Sequence, residues 1–466
     1  MLQMSNVPDL KLKEQLVFGF TGAMNVFQDS TLIKDNELRD AKNIMIQVDG
    51  PTQRPGSDIY YSQSGSKVTF SATYYKSDGT KKLLRFALGL NNKMQVADSN
   101  GAWSDIGTVT WNPAAKFASV MARDRLWIFS DTNDPVYYDG ANLIAYTALS
   151  TPTGVTATYS GAAGTTAFSY RVSAVANGET LASTSVTASN CYYVLGGSNK
   201  VTVAWTAVSG ATSYNIYGRQ SGGRGETLMA SNIGTTSWVD DGTVTPSPSI
   251  LPPDANTTTG LRGTMAFLAL ERIFVAGDPN NPTRLSFGGQ ADQLGNFSQG
   301  DLGGGYRDIG KNDGQKITTI YPFQNGLVAW KERSIYKFYF TIDGSGYLTQ
   351  NVDQITTSFG GIARRGAYAV ENDIIFIGLK DGKITVYSLG NQEGYVSTVL
   401  RTNDLGTKIN PKLRDVNLAY VGEACSFYYN SIFGFAIPAT SNTENNRIWC
   451  LDTRFGCWYY WEGMKP

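Results

Sequence analysis

Histidine is absent from all 466 residues. That absence removes Ser-His-Asp and Cys-His catalysis, histidine-ligated metals and imidazole pH switches together. Cysteine is scarce: Cys191, Cys425, Cys450 and Cys457 are dispersed, and without any Cys-x-x-Cys there is no zinc-ribbon pattern. Cys450 and Cys457 are spaced to meet across a hairpin; free buried thiols are the expectation, with pairing left open. Net charge is lacking too. Lys plus Arg number 39 and Asp plus Glu number 39, so nothing suggests a basic nucleic-acid surface. No apolar run approaches the roughly 18 residues of a membrane helix. The opening MLQMSNVPDLKLKEQLVF has no basic segment followed by an apolar core, so no signal peptide is expected. These absences point to a soluble product of a reducing compartment.

What is present favours strands. Gly (50), Tyr (26), Phe (21) and Trp (9) are abundant while charged residues are 17%. Turn formers plus aromatics, without long Ala/Leu/Glu/Lys stretches, predict an all-β chain. Six short apolar runs recur: Leu83–Leu88, Leu126–Phe129, Ile273–Ala276, Leu327–Trp330, Ile374–Ile377 and Ile432–Phe435. Each is too short for a helix and reads as a strand buried on both faces. Leu84 to Leu126 is 42 residues, Leu327 to Ile374 is 47, and Ile273 to Leu327 is 54. The outlier, Leu126 to Ile273 at 147, falls to 44 when the 103 residues 151–253 are set aside. A period of about 40–50 residues with several strands per unit predicts a β-propeller, here of about six blades. Arg125–Asp131 followed by Thr132-Asn133-Asp134-Pro135 aligns with Arg272–Asp278 followed by Pro279-Asn280-Asn281-Pro282, so one blade turn is used twice.

The expected domains are an arm with a short helix and closing strand (1–56), first blades (57–150), an inserted β-sandwich (151–253) and the remaining blades (254–466). The helix is placed at Asp35–Asn43 and the strand at Ile44–Val48, followed by a turn-rich Asp49–Gly56. A terminal strand pairing with the last blade would remove an exposed sheet edge. Thr243–Gly260, rich in Pro and Thr, reads as the linker returning from the insert.

Motifs that carry chemistry fall short. Asp278 and Asn280 alternate as calcium ligands do, but the sixth and twelfth loop positions are Thr283 and Gly289 rather than Gly and Glu. Gly305–Asn312 almost spells a phosphate loop. Its last position is Asn312, and the following Asp313–Ile320 alternates like a strand where the motif needs a helix. Asp98-Ser99-Asn100-Gly101-Ala102-Trp103 resembles a sialidase Asp-box, one residue too long and in any case a turn. Trp458-Tyr459-Tyr460-Trp461 suits the last strand of a blade better than a sugar platform. No catalytic, cofactor-binding or metal-binding residue is therefore assigned, no cofactor is expected, and no enzyme is expected.

Two resemblances add to this. Trp205–Tyr217 and Tyr170–Glu179 look like strands of fibronectin type III-like modules of about 100 residues, matching the insert. Four further stretches resemble, in their order, the propeller proteins of bacteriophage tails, including the nozzle or stabilisation proteins of short-tailed phages. They are Gly22-Ala23-Met24-Asn25 through Asn36-Glu37-Leu38, Asn43 and Arg54-Pro55-Gly56; Glu271–Gln290 with Asp292–Phe297; Asp313-Gly314 through Ile317-Thr318 and Leu327–Glu332 to Ser334-Ile335-Tyr336; and Phe359–Ala363 through Ile374–Ile377 to Asp381-Gly382. The insert departs from that pattern. The resemblance implies a structural virion protein made in the host cytoplasm. Its copies would form a ring, expected to be a hexamer, below the portal and adaptor, with tail fibres or other tail proteins as neighbours. The genome would be held in and then conducted through the lumen without specific binding. A neutral chain suits that passage, since each Lys or Arg on a phosphate adds a salt-dependent hold. The competing expectation is a carbohydrate-binding or glycan-degrading propeller with an accessory module.

Overall fold

The computed structural model describes residues 22–29, 31–47, 50–54, 66–219, 225–247, 250–259, 261–298, 304–342, 344, 348–391 and 400–463. The opening eighteen residues, Pro55-Gly56 and Gly260 lie outside them. The chain is nearly all β, with nine antiparallel sheets among the described residues. It divides into two compact units, one drawn from residues 1–57, 368–378 and 382–466 and the other from 58–367 and 379–381.

An arm of the first unit comes first. β1 (Ala23–Met24) pairs in parallel with β2 (Glu37–Leu38), and β3 (Ile44–Gln47) forms a hairpin with β4 (Gly50–Gln53). The expected helix at Asp35–Asn43 does not form. Glu37 is instead held by tertiary partners: its carboxylate accepts from Asn25 Nδ2 at 2.8 Å and pairs with Lys408 at 2.7 Å. Gly50–Gln53, expected as turn, is likewise a strand.

The second unit contains four antiparallel meanders. They are β5 (Val68–Tyr75), β6 (Lys81–Ala87), β7 (Met94–Ala97) and β8 (Trp103–Ile106); then β9 (Phe117–Ala122), β10 (Arg125–Ser130), β11 (Val136–Tyr138) and β12 (Leu143–Ala145). Seven strands of an insert follow: β13 (Thr156–Ser160), β14 (Thr166–Val175), β15 (Val186–Cys191), β16 (Lys200–Ala204), β17 (Ser213–Gly218), β18 (Thr227–Ile233) and β19 (Ser237–Asp240). The third meander is β20 (Met265–Ala269), β21 (Arg272–Ala276), β22 (Arg284–Phe287) and β23 (Gly305–Asp308). The fourth is β24 (Ile317–Phe323), β25 (Gly326–Lys331), β26 (Ile335–Ile342) and β27 (Leu348–Thr356), followed by the two-residue β28 (Gly360–Gly361).

The four meanders stack face to face. Leu126 and Ile128 of β10 pack with Phe70, Leu84 and Phe86, whereas Trp127 and Phe129 pack with Ile273 and Val275. Phe274 and Ala276 of β21 turn the other way, onto Ile320, Leu327 and Phe338. Alternate residues of one strand thus enter two cores, which is why these runs are apolar without interruption. First strands adjoin in series, β5 beside β9, β9 beside β20 and β20 beside β24. This is the packing of propeller blades.

The insert has sheet orders β13-β16-β19 and β15-β14-β17-β18, which share a core of Tyr170, Val172, Val201, Val203, Trp205 and Ile216. The two stretches that resemble a fibronectin module meet directly, β14 pairing with β17. Entry and exit are adjacent: Leu149 N donates to Thr258 Oγ1 at 3.1 Å and Asn256 Nδ2 to Leu149 O at 3.1 Å. The return is no free linker. Ser247 N donates to Leu228 O and Leu228 N to Ile250 O, tying it along β18.

The rest of the first unit holds β29 (Ala367–Val370) and β30 (Asp373–Lys380), apart from Ala367 and the last two residues of β30, with β31 (Lys383–Asn391) and β32 (Leu400–Asp404), then α1 (Asn410–Leu413), then a meander of β33 (Cys425–Tyr429), β34 (Ile432–Ile437), β35 (Arg447–Asp452) and β36 (Cys457–Glu462). The arm lies along β36, with its backbone bonds made through Ala41–Asn43 and Trp461 Nε1 donating to Ile44 O of β3 at 2.9 Å. Asn43 N donates to Tyr460 O at 2.7 Å and Tyr460 N to Ala41 O at 3.0 Å. Cys450 stands opposite Tyr459 and Cys457 opposite Asp452, so the two thiols are not opposed. No disulfide joins any of the four cysteines.

Candidate functional site

Where the sandwich meets the third meander, the return segment 253–257 passes over β22 and β23. Arg284, on β22, is 8% exposed at its side chain. Its Nη1 and Nη2 reach Asp254 Oδ1 and Oδ2 at 2.7 Å each, a two-bond fork that a lysine cannot reproduce. Its Nε reaches Asp308 at 3.4 Å, and its plane lies 3.9 Å from the Tyr306 ring centre. Burial alone would raise the Asp254 carboxyl, but the guanidinium outweighs burial and holds it below the usual range. Tyr306, buried beside Asp254, is pushed up to about 12.

Glu179 closes the other side of this cleft and is 1% exposed. Its Oε1 accepts from Tyr217 at 2.6 Å, from Asn215 Nδ2 at 3.0 Å and from Ser173 Oγ. Its backbone exchanges bonds with Thr257 on the return segment, N to Thr257 Oγ1 at 2.8 Å and O from Thr257 N at 2.8 Å. Burial, then the neighbouring carboxylate, raises the Tyr217 hydroxyl far above its ordinary value, so it stays a donor. The cleft between these groups holds about 40 Å³, room for roughly three waters and not for a sugar ring. Arg284 and Asp254 fasten the return segment to the meander, while the Glu179 carboxylate serves Tyr217, Asn215 and Ser173 of the sandwich. Neither Glu179 nor Arg284 stood out in the sequence. Glu179 sits in a turn, Ala176-Asn177-Gly178-Glu179, whose polarity looks ordinary until the fold buries it.

The motifs weighed from sequence resolve as turns and packing. Asp278 Oδ1 accepts from Asn280 N and Oδ2 from Asn281 Nδ2, both at 2.9 Å, so both oxygens serve their own loop. That loop joins β21 to β22, as Asp131–Pro135 joins β10 to β11. Asp98 Oδ1 accepts from Asn100 N and Ala102 N at 2.8 Å in the turn between β7 and β8. Strand β24 follows the phosphate-loop-like stretch, and Lys311 pairs with Asp308 at 3.2 Å. Trp458, Tyr459 and Tyr460 are buried in β36; Trp458 Nε1 donates to Leu405 O at 3.0 Å.

The third and fourth stretches that resemble phage tail propellers converge. Lys331, fully buried, reaches both oxygens of Asp313 at 2.8 Å and Gly310 O at 2.9 Å. Gly360 presses on the same strand so closely that a Cβ there would sit 1.8 Å from Lys331 O. Thr318 Oγ1 bridges to Gly361 O at 2.7 Å.

No protein family and no curated protein matches the chain. Among solved structures, it is similar to an extracellular domain assigned to a one-component system of B. thetaiotaomicron, at 9% identity and a TM-score of 0.26, over 88% of this chain and 48% of that one. The chain therefore spans about half the length of that relative. A fucose-bound Aleuria aurantia lectin mutant is similar at 9% identity and 0.20, over 72% and 96%. PorZ, a surface component of the type-IX secretion system of Porphyromonas gingivalis, is similar at 9% and 0.22, over 85% and 53%. None of these likenesses bears on activity, ligand or partner.

Proposed function

We propose that this chain is a structural, non-enzymatic virion protein of a phage tail, built as a six-bladed propeller with an inserted fibronectin-like sandwich. Copies form a ring, a nozzle or hub below the portal and adaptor, which retains and then conducts the genome. The observation that carries this reading is how the charged groups of the seam are used. Arg284 and Asp254 are committed to each other and the Glu179 carboxylate to Ser173, Asn215 and Tyr217, as a rigid part requires and as a substrate site does not. The ordered resemblance of the four stretches supplies the kind of assembly, and the balance of 39 basic and 39 acidic residues suits a conduit for DNA. Electron microscopy of the purified protein with its adaptor is expected to show a ring, probed for sixfold symmetry. A stable monomer that hydrolyses glycans would sink the proposal.

One observation favours the second reading, a glycan-binding propeller. Tyr192 and Tyr193, after β15, are 37% and 70% exposed with ring centres 4.7 Å apart, and exposed aromatic faces suit sugar rings. Glycan binding that disappears in Tyr193→Ala would support it.

A further inference from the structure

The outer strands of the first three meanders are short: β8 has four residues, β12 three and β23 four. β27 has nine, and among the described residues no strand pairs with its outer edge. Folded proteins blunt long edges with Lys, Pro, a covering segment or a bulge, because an open ladder recruits another strand. Within β27, Leu348-Thr349-Gln350-Asn351-Val352-Asp353-Gln354-Ile355-Thr356, there is no Pro and no Lys or Arg. Its ladder with β26 runs regularly from Leu348 to Gln354, and the irregularity falls beyond, at Ile355. The hairpin end is apolar as well, with Ile342 72% and its cross-strand partner Leu348 39% exposed.

We propose that β27 is an interface strand that takes β27 of a second copy of this chain, antiparallel, about a twofold axis at Val352. The strand's own sequence selects that occupant. With Val352 on the axis, Asn351 of each copy faces Asp353 of the other, and Gln350 faces Gln354. Each carboxylate then stands opposite a neutral amide, which within its own hairpin donates to Thr341 Oγ1, and no like charges oppose. Val352 packs partly against the meander core beneath it, so even-numbered residues keep that face and odd-numbered ones the other. Opposed residues in this register share parity, so both copies present matching faces. The chain's zero net charge adds no long-range repulsion between copies. Twofold contacts of this kind are isologous, so one surface suffices. The contact is independent of the ring proposed above and joins copies, or rings, in pairs.

The test is sedimentation of the full chain over a range of concentrations, with two variants. Asn351→Asp sets a carboxylate against Asp353 twice per dimer and is expected to raise the dissociation constant about tenfold. Adding Asp353→Lys to it restores opposite charges and is expected to restore the dimer. Hydrogen exchange at residues 348–354 is expected to slow as the dimer fills. A chain monomeric at every concentration, or an assembly indifferent to Asn351→Asp, overturns the assignment. So does a loss that Asp353→Lys fails to rescue while circular dichroism shows both variants folded.

Discussion

Several tyrosines of this chain, Tyr138, Tyr306 and Tyr460 among them, have hydroxyls beside acidic or carbonyl oxygen, and they make its stability depend on alkaline pH. Burial pushes Tyr138, Tyr306 and Tyr460 up to about 12. A tyrosine in the unfolded chain ionises near pH ~10. With folded values above unfolded ones, the contribution is complete below pH ~10 and is lost as pH rises towards ~12, at about 1.4 kcal/mol per pH unit for each group. Stability to urea is therefore expected to fall steeply from about pH 10 towards pH 12, and Tyr138→Phe to flatten that slope by about one group. An unchanged slope in Tyr138→Phe would remove the account. At the seam, Arg284→Ala leaves the half-exposed Asp254 without its cation and the partly buried Asp308 with Lys311 alone, and about 2–3 kcal/mol of unfolding free energy is expected to go. Arg284→Lys is expected to recover only part, since the fork is lost. Residue chemistry was unevenly legible. The turn role of Asp278 could be read because calcium loops have fixed positions to fail. Glu179 could not, because its partners Ser173, Asn215, Tyr217 and Thr257 are brought together only by the fold.

Strands reveal themselves when both faces are buried. All six apolar runs noted in the sequence are second strands, β6, β10, β21, β25, β30 and β34, and β10 and β21 send alternate residues into two cores. Most first, third and fourth strands mix polar and apolar residues, Met265–Ala269 of β20 being an exception; Trp103-Ser104-Asp105-Ile106 of β8 is mostly exposed at its centre. The arm misled for the opposite reason. Asp35–Asn43 has helix-start chemistry, but Lys408, Asn25 and Lys412 hold Glu37 and Asp40 in an extended path that a single sequence does not announce. The difference between strand positions is measurable. Phe274 on β21 is fully buried, with Phe338 and Phe287 ring centres at 5.7 and 5.8 Å. Phe274→Ala is expected to cost about 3–5 kcal/mol, whereas Ser104→Ala on β8 stays within about 0.5. Equal effects in denaturant titrations would mean that the second strands are not the cores of their meanders.

At the scale of the molecule, the sequence period is what suggested an insertion, and residues 151–253 hold two sheets that share one core. Leu149 on the way in touches Asn256 and Thr258 on the way out, so the second and third meanders need no help from the sandwich to reach each other. Trp127 and Phe129 meet Ile273 and Val275 without any insert residue between them. A chain lacking residues 151–253 keeps Asp254, and with it the fork to Arg284, while discarding Glu179 and its donors together, so no buried carboxylate is stranded. That variant is expected to unfold cooperatively and to retain the assembly of the full chain, because blade packing and β27 lie outside the deletion. The same variant separates the two functional readings. A ring that persists without the sandwich places the conduit in the propeller and leaves the sandwich as an outward module. Glycan binding that vanishes with the sandwich, from a chain that stays monomeric, places recognition at Tyr192 and Tyr193 and removes the conduit. A deletion that cannot fold would instead mean that the return segment 254–259, not blade packing, holds the second and third meanders together. The Arg284→Ala variant in the full chain would then show a loss well beyond the 2–3 kcal/mol expected of one ion pair.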